Sequence, residues 1–169
     1  QYNKNDPKFS IEELKRELDS CFISTSYELS FEPGRFLIAE AGILVTSIIN
    51  TKQNGGVNYL IVDAGMNTLV RPAMYNAHHD IETITKKTDN FKNYTIAGPI
   101  CESSDIFLKN ISLSEQTIGD ILIIKNTGAY GKVMSSTYNT RPLPAEVLVN
   151  GENFAIIYKA SFATFYIKI

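Results

Sequence analysis

A chain of 169 residues is long enough for one domain and part of a second, and its hydrophobic content of 44% is that of a globular protein. A net charge of −2 without a Lys/Arg cluster leaves no electrostatic footprint for nucleic acid, and the longest apolar runs are far too short to span a bilayer. Two cysteines in unlike settings, Cys21 and Cys101, argue against a disulfide framework and lead us to expect a reducing, cytoplasmic setting. The chain opens on Gln1, which fits a piece of a longer protein, and its first seven residues read as loose and polar.

Ser10, with Glu13 three residues on, is a capping box. Ile11, Leu14, Leu18 and Phe22 form an apolar stripe at helical spacing, which predicts a helix from Ile11 to Cys21 with the Cys21 thiol packed on its apolar face. Tyr27–Phe31 reads as a short strand. A helix and strand ending at Pro33-Gly34 look like the last segment of an α/β barrel. A short helix is expected over Phe36–Ala41, ended by Gly42. Ile43–Thr51 and Val57–Val62 are β-branched runs joined around Asn54-Gly55, a strong hairpin signal. Further strands are predicted at Ile81–Lys87, Tyr94–Ala97, Ile121–Lys125, Glu146–Val149 and Phe154–Lys159, with a second tight turn at Asn150-Gly151. Many short strands with frequent turns predict a barrel or sandwich. The apolar tail from Ala160 to Ile169 reads as a core strand.

Four clusters place a reactive side chain beside small or rigid backbone. In Glu32-Pro33-Gly34-Arg35, glycine allows close approach of an anion and Arg35 offers a planar fork for a carboxylate or phosphate. The same residues also make an ordinary strand-to-helix turn. Arg71 and Tyr75 are four apart, so one helical turn sets them on one face, suited to a carboxylate. By themselves they equally fit a solvated Arg and a half-buried Tyr. In Gly98-Pro99-Ile100-Cys101-Glu102-Ser103-Ser104-Asp105 the thiol can act as a general acid and Glu102 can read an ammonium group. A buried, inert Cys beside a surface Glu is the plainer alternative. Gly128-Ala129-Tyr130-Gly131 presents one aromatic hydroxyl that could border a planar ring or cap a barrel. His78-His79 does not make a metal pair, because neighbours on a helix point apart and no third ligand is close in sequence; we expect surface histidines and no metal.

Together and in this order, these clusters resemble the C-terminal part of the diaminopimelate decarboxylase family, from Phe31 to Val149. Met134–Asn139 and Arg141-Pro142 also match, with a structural role. The resemblance implies a mostly β fold: an antiparallel β-barrel of the alanine racemase/group IV decarboxylase type over residues 36–169, preceded by a remnant of an α/β (TIM) barrel over residues 1–35. It implies pyridoxal 5′-phosphate as cofactor and lysine formation from meso-diaminopimelate as the reaction. Cys101 would be the proton donor, acting in the partner's site of a homodimer. Arg35, Arg71, Tyr75, Glu102 and Tyr130 would contact substrate; Glu32, Gly34, Arg35 and Tyr130 would contact cofactor. The family's cofactor-anchoring lysine lies upstream of anything present, so this chain alone is expected to be inactive. Two alternatives stand beside this reading. One is a related ornithine, arginine or carboxynorspermidine decarboxylase, although Arg71 and Tyr75 together with Glu102 favour diaminopimelate. The other is a non-catalytic β-barrel domain that binds a partner.

Overall fold

The computed structural model describes residues 9–84 and 89–161. The expected loose start at Gln1–Pro7, the end of the strand expected over Ile81–Lys87 and the apolar tail beyond Ser161 lie outside those residues.

Helix α1 covers Ile11–Phe22, capped as the sequence predicts by the Ser10 hydroxyl, which accepts from the Glu13 N–H at 3.2 Å. None of its residues is buried. The Cys21 thiol is therefore exposed and not packed, because no described element lies against the helix's apolar stripe. Residues 27–31 are not a strand: no described segment lies alongside to complete a hydrogen-bond ladder, and Tyr27, Leu29 and Phe31 face solvent. Helix α2, Gly34–Ile38, runs into a 3-10 turn over Ala39–Ala41.

The strands are β1 (Leu44–Asn54), β2 (Val57–Val62), β3 (Ile81–Thr83), β4 (Phe91–Ala97), β5 (Ile106–Ser114) and β6 (Ile121–Ile124), with a short helix α3 (Arg71–Tyr75) between β2 and β3. They form one sheet in the order β3-β6-β1-β2-β4-β5. The β2–β4 pair is parallel and every other pair antiparallel. The edge strands β3 and β5 come into contact, so the sheet curls almost into a closed barrel. Ile48, Leu60, Val62, Ile96, Leu122 and Ile124 fill its interior. Each such side chain contributes about 1.5–3 kcal/mol on full burial. A separate hairpin follows, β7 (Glu146–Asn150) with β8 (Asn153–Tyr158).

Both predicted hairpins form. The first turns on Gly55 and Gly56 at φ of 56° and 78°, and the second on Gly151 at φ 61°. Positive φ at the loop centre matches the right-handed twist of the flanking strands, and glycine adopts it without steric cost. β5 was not foreseen from the sequence. Lys109-Asn110 interrupts its alternation, and Asn110 at φ 57° marks an irregularity in its pairing with β4. Among the described residues no helix is long and apolar enough to cross a membrane.

Candidate functional site

Helix α3 is short because Pro72 fits its first turn and Asn76, left-handed at φ 51°, closes it. It places Arg71 and Tyr75 on one face, as their spacing predicts. The Arg71 side chain is buried, at 8% exposure, and its guanidinium lies over the Tyr75 ring at 5.7 Å and the Tyr130 ring at 5.6 Å. An aromatic face attracts a cation. The two rings therefore frame a guanidinium, and both tyrosines remain exposed toward solvent.

Tyr130 reaches this position through an uncommon backbone, with φ 58°. A bulky residue in the left-handed region costs about 1–3 kcal/mol and persists where its surroundings over-determine it. The restraint is visible in the preceding residues. Thr127 N–H donates to Gly42 O at 2.9 Å and Gly128 N–H to Ala39 O at 3.0 Å. A Cβ on Gly128 would lie 2.1 Å from Ile38 O, so only glycine allows this approach. The loop bearing Tyr130 is thereby docked on the helical segment that carries Arg35. Beyond it, the Lys132 ammonium lies 3.4 Å from the Tyr158 ring centroid, which ties the β7–β8 hairpin to the same loop.

The expected surface pair His78-His79 divides. His78 Nε2 meets Asp80 Oδ1 at 2.9 Å on a half-buried surface. His79 is fully buried, at 0% exposure, which corrects the surface assignment. Its Nδ1 donates to the Lys125 carbonyl at 2.8 Å. Burial pushes the imidazole pKa below its ordinary value against that hydrogen bond, and the charges of Arg71, His78 and Arg35 add smaller downward contributions. The field of both arginines therefore reaches one buried imidazole.

Cys101 and Glu102 sit on a different loop, and both are exposed, which removes the buried-thiol alternative. The Glu102 carboxylate accepts from Ser104 N–H and Ser103 Oγ, each at 3.2 Å. The Ser104 N–H, then the serine hydroxyls, hold it below the usual carboxylate range. The loop closes on Asp105, which is buried and accepts from Ile100 N–H and Met66 N–H, each at 2.7 Å. Burial pushes the Asp105 carboxyl upward, against those two amides and the Arg141 charge, while Glu102 adds to the rise. Ser103 and Ser104 share a groove of 470 Å³ with Pro72, Ala73 and Asn76 on the far side of α3. Glu32 and Gly34 lie in the open, and a Cβ on Gly34 would meet nothing within 4 Å. Space is thus available where the sequence places an anion.

Sequence reasoning missed His79 as a buried group, Asp105 as a loop clamp and Lys132 as a latch. The Gly98–Asp105 motif carried a signal for the second: an acid seven residues after a glycine, within one rigid loop. Burial of His79 left none, since it depends on which elements cover it.

A curled sheet of this kind belongs to a known class. Residues 19–128 match the C-terminal sheet domain of the pyridoxal-dependent decarboxylases, and the chain belongs to that family. Relatives narrow the class. The diaminopimelate decarboxylase of Zymomonas mobilis subsp. mobilis is 46% identical over 131 residues, which is 78% of this chain and 31% of that protein. Among solved structures, diaminopimelate decarboxylase from Helicobacter pylori, complexed with L-lysine, gives a TM-score of 0.84 at 35% identity, covering 93% of this chain and 39% of that one. The enzyme of the same name from M. jannaschii gives 0.88 at 32% identity, covering 96% and 38%. The chain spans 31% and 39% of the lengths of two curated relatives it matches.

Proposed function

We propose that this chain is the C-terminal portion of a pyridoxal 5′-phosphate-dependent decarboxylase that converts meso-2,6-diaminopimelate to L-lysine in lysine biosynthesis. The observation that carries the reading is the buried Arg71 guanidinium framed by Tyr75 and Tyr130, in a chain whose relatives bear that activity in their names. A fixed guanidinium beside a tyrosine hydroxyl suits a substrate with a second carboxylate. Ornithine-like substrates offer none.

The residues present fit the cofactor. Gly34 leaves its approach clear, and no described atom fills the space a Cβ would take. Glu32, Gly34, Arg35 and Tyr130 would hold it, Gly34 and Arg35 at the phosphate and Tyr130 beside the ring. When bound, the pyridine ring of the cofactor serves as the electron sink for loss of the carboxylate. The protein's own contribution is reading the substrate and moving one proton. Arg35, Arg71 and Tyr75 hold the distal carboxylate. Glu102, kept ionised by its serine N–H and hydroxyls, meets the distal ammonium. The Cys101 thiol delivers a proton to the carbon that has lost carbon dioxide. An exposed loop suits a group that works outside its own subunit, so Cys101 and Glu102 complete the site of a partner in a cytoplasmic homodimer. The lysine that anchors the cofactor belongs to an α/β barrel working with this segment, of which residues 1–35 are the last part and residues 36–169 the β-barrel partner. The segment alone is inactive.

Arg71→Ala in the full-length enzyme tests the reading. Losing the arginine partner of a desolvated carboxylate costs about 3–5 kcal/mol, or about 150- to 5000-fold in kcat/KM. That loss is expected for meso-diaminopimelate and not for analogues that lack a distal carboxylate. Equal losses on both substrate types would remove Arg71 from the distal pocket.

A further inference from the structure

We propose that Asp105 is a positioning residue that fixes the Cys101–Glu102 loop, on which the proposed function rests, against the segment that leads into Arg71. One carboxylate bridges two loops. Its Oδ1 accepts the Met66 N–H and its Oδ2 accepts the Ile100 N–H, each at 2.7 Å. Its main chain closes the same loop: Asp105 N–H donates to Glu102 O at 3.1 Å, and Asp105 O accepts from Gly98 N–H at 2.9 Å. Cys101 and Glu102 are therefore held at both ends by a single residue.

The surroundings are built to admit this side chain. A Cβ on Gly98 would lie 2.3 and 2.5 Å from the two carboxylate oxygens, and one on Gly65 would lie 3.2 Å from Oδ2. Glycine at both positions leaves room for a carboxylate between two backbone segments. Past Met66, a turn closed by Thr68 N–H to Gly65 O at 2.8 Å and Leu69 N–H to Gly65 O at 3.2 Å leads directly into α3. The carboxylate thus couples the element that presents Arg71 and Tyr75 to the element that presents Cys101 and Glu102. If those two elements serve different active sites of a homodimer, the Asp105 carboxylate is a direct hydrogen-bonded link between them.

Asp105→Asn tests the bridge, because an amide offers one acceptor oxygen where two N–H groups need one each. In the cofactor-loaded full-length enzyme, amide exchange at Met66 or Ile100 should quicken about tenfold, the loss of one hydrogen bond. Exchange at Ile96 in the barrel should stay as it is. Iodoacetamide alkylation of Cys101, read on its own peptide by mass spectrometry, should change rate by about fivefold or more as the loop loosens. The kcat should fall about 100-fold as the proton donor is displaced, and KM should rise because Glu102 moves with the same loop. Unchanged exchange and alkylation in the folded variant would overturn the proposal, as would altered exchange with an unaltered kcat. Gly98→Ala is the second variant. It drives a methyl group into the carboxylate and should reproduce all three effects, so wild-type behaviour there overturns the proposal even if Asp105→Asn does not fold. Should the wild-type enzyme release no carbon dioxide from meso-diaminopimelate, the proposed reaction fails, and the exchange and alkylation rates still decide the role of Asp105.

Discussion

His79 is a polar side chain with 0% exposure, in a region where both neighbouring arginines are cationic. Its pKa is lowered from 6.5, first by burial. The unfolded chain therefore takes up this proton at higher pH than the folded one. The stability it contributes is fully present above 6.5 and is lost as pH falls from there toward the lowered value. Unfolding midpoints followed from about pH 7.5 to about pH 5 should show wild type losing stability relative to His79→Asn, which carries no titrating group at this position. A constant difference between the two across that range would contradict the assignment. At this scale the sequence was partly legible. The spacing of Arg71 and Tyr75 placed them on one face of a helix, because a four-residue separation does so in any helix. Tyr130 joined them only through the fold, and its left-handed backbone has no signal in Gly-Ala-Tyr-Gly.

Glycines at the junctions between elements have two distinct uses here. Gly128 sits under Ile38 O and beside Gly42 N, at 2.1 and 2.9 Å from the position of a Cβ. Gly128→Ala should cost about 1–3 kcal/mol, the range for overpacking against atoms that cannot move aside. Denaturant unfolding measures it. Gly34 meets nothing within 4 Å and has no positive φ, so Gly34→Ala should leave stability within about 0.5 kcal/mol. On the proposed reading, the same change in the full-length enzyme should weaken pyridoxal phosphate binding about tenfold or more, read by cofactor absorbance, because a methyl group would then occupy the proposed phosphate approach. Loss of stability without loss of cofactor affinity would place the role of Gly34 in the fold. Elements were legible where turn chemistry was strong: Asn54-Gly55 and Asn150-Gly151 marked both hairpins. β5 was missed because Lys109-Asn110 breaks its period. Residues 27–31 were over-read because a strand-like segment also needs a ladder partner, and no described segment supplies one.

Over the whole molecule, burial is uneven. The core lies inside the curled sheet, while Tyr27, Leu29, Phe31, Phe36 and Leu37 before it, and Val147, Leu148, Val149, Phe154 and Ile156 on the β7–β8 hairpin, face solvent. Apolar surface on this scale marks interaction faces. On the proposed reading the first group packs on the α/β barrel. The fold class was legible because short β-branched runs and tight turns permit few architectures. The extent of exposed apolar surface was not, since sequence alone does not tell a covered face from an open one. The most direct measurement is carbon dioxide release by the full-length, pyridoxal phosphate-loaded enzyme, with meso-diaminopimelate and L-ornithine compared in parallel. Release is expected from meso-diaminopimelate, with kcat/KM at least about 100-fold lower for ornithine and collapse of that preference in Arg71→Ala. Equal or faster release from ornithine by the wild-type enzyme would contradict the proposed reading.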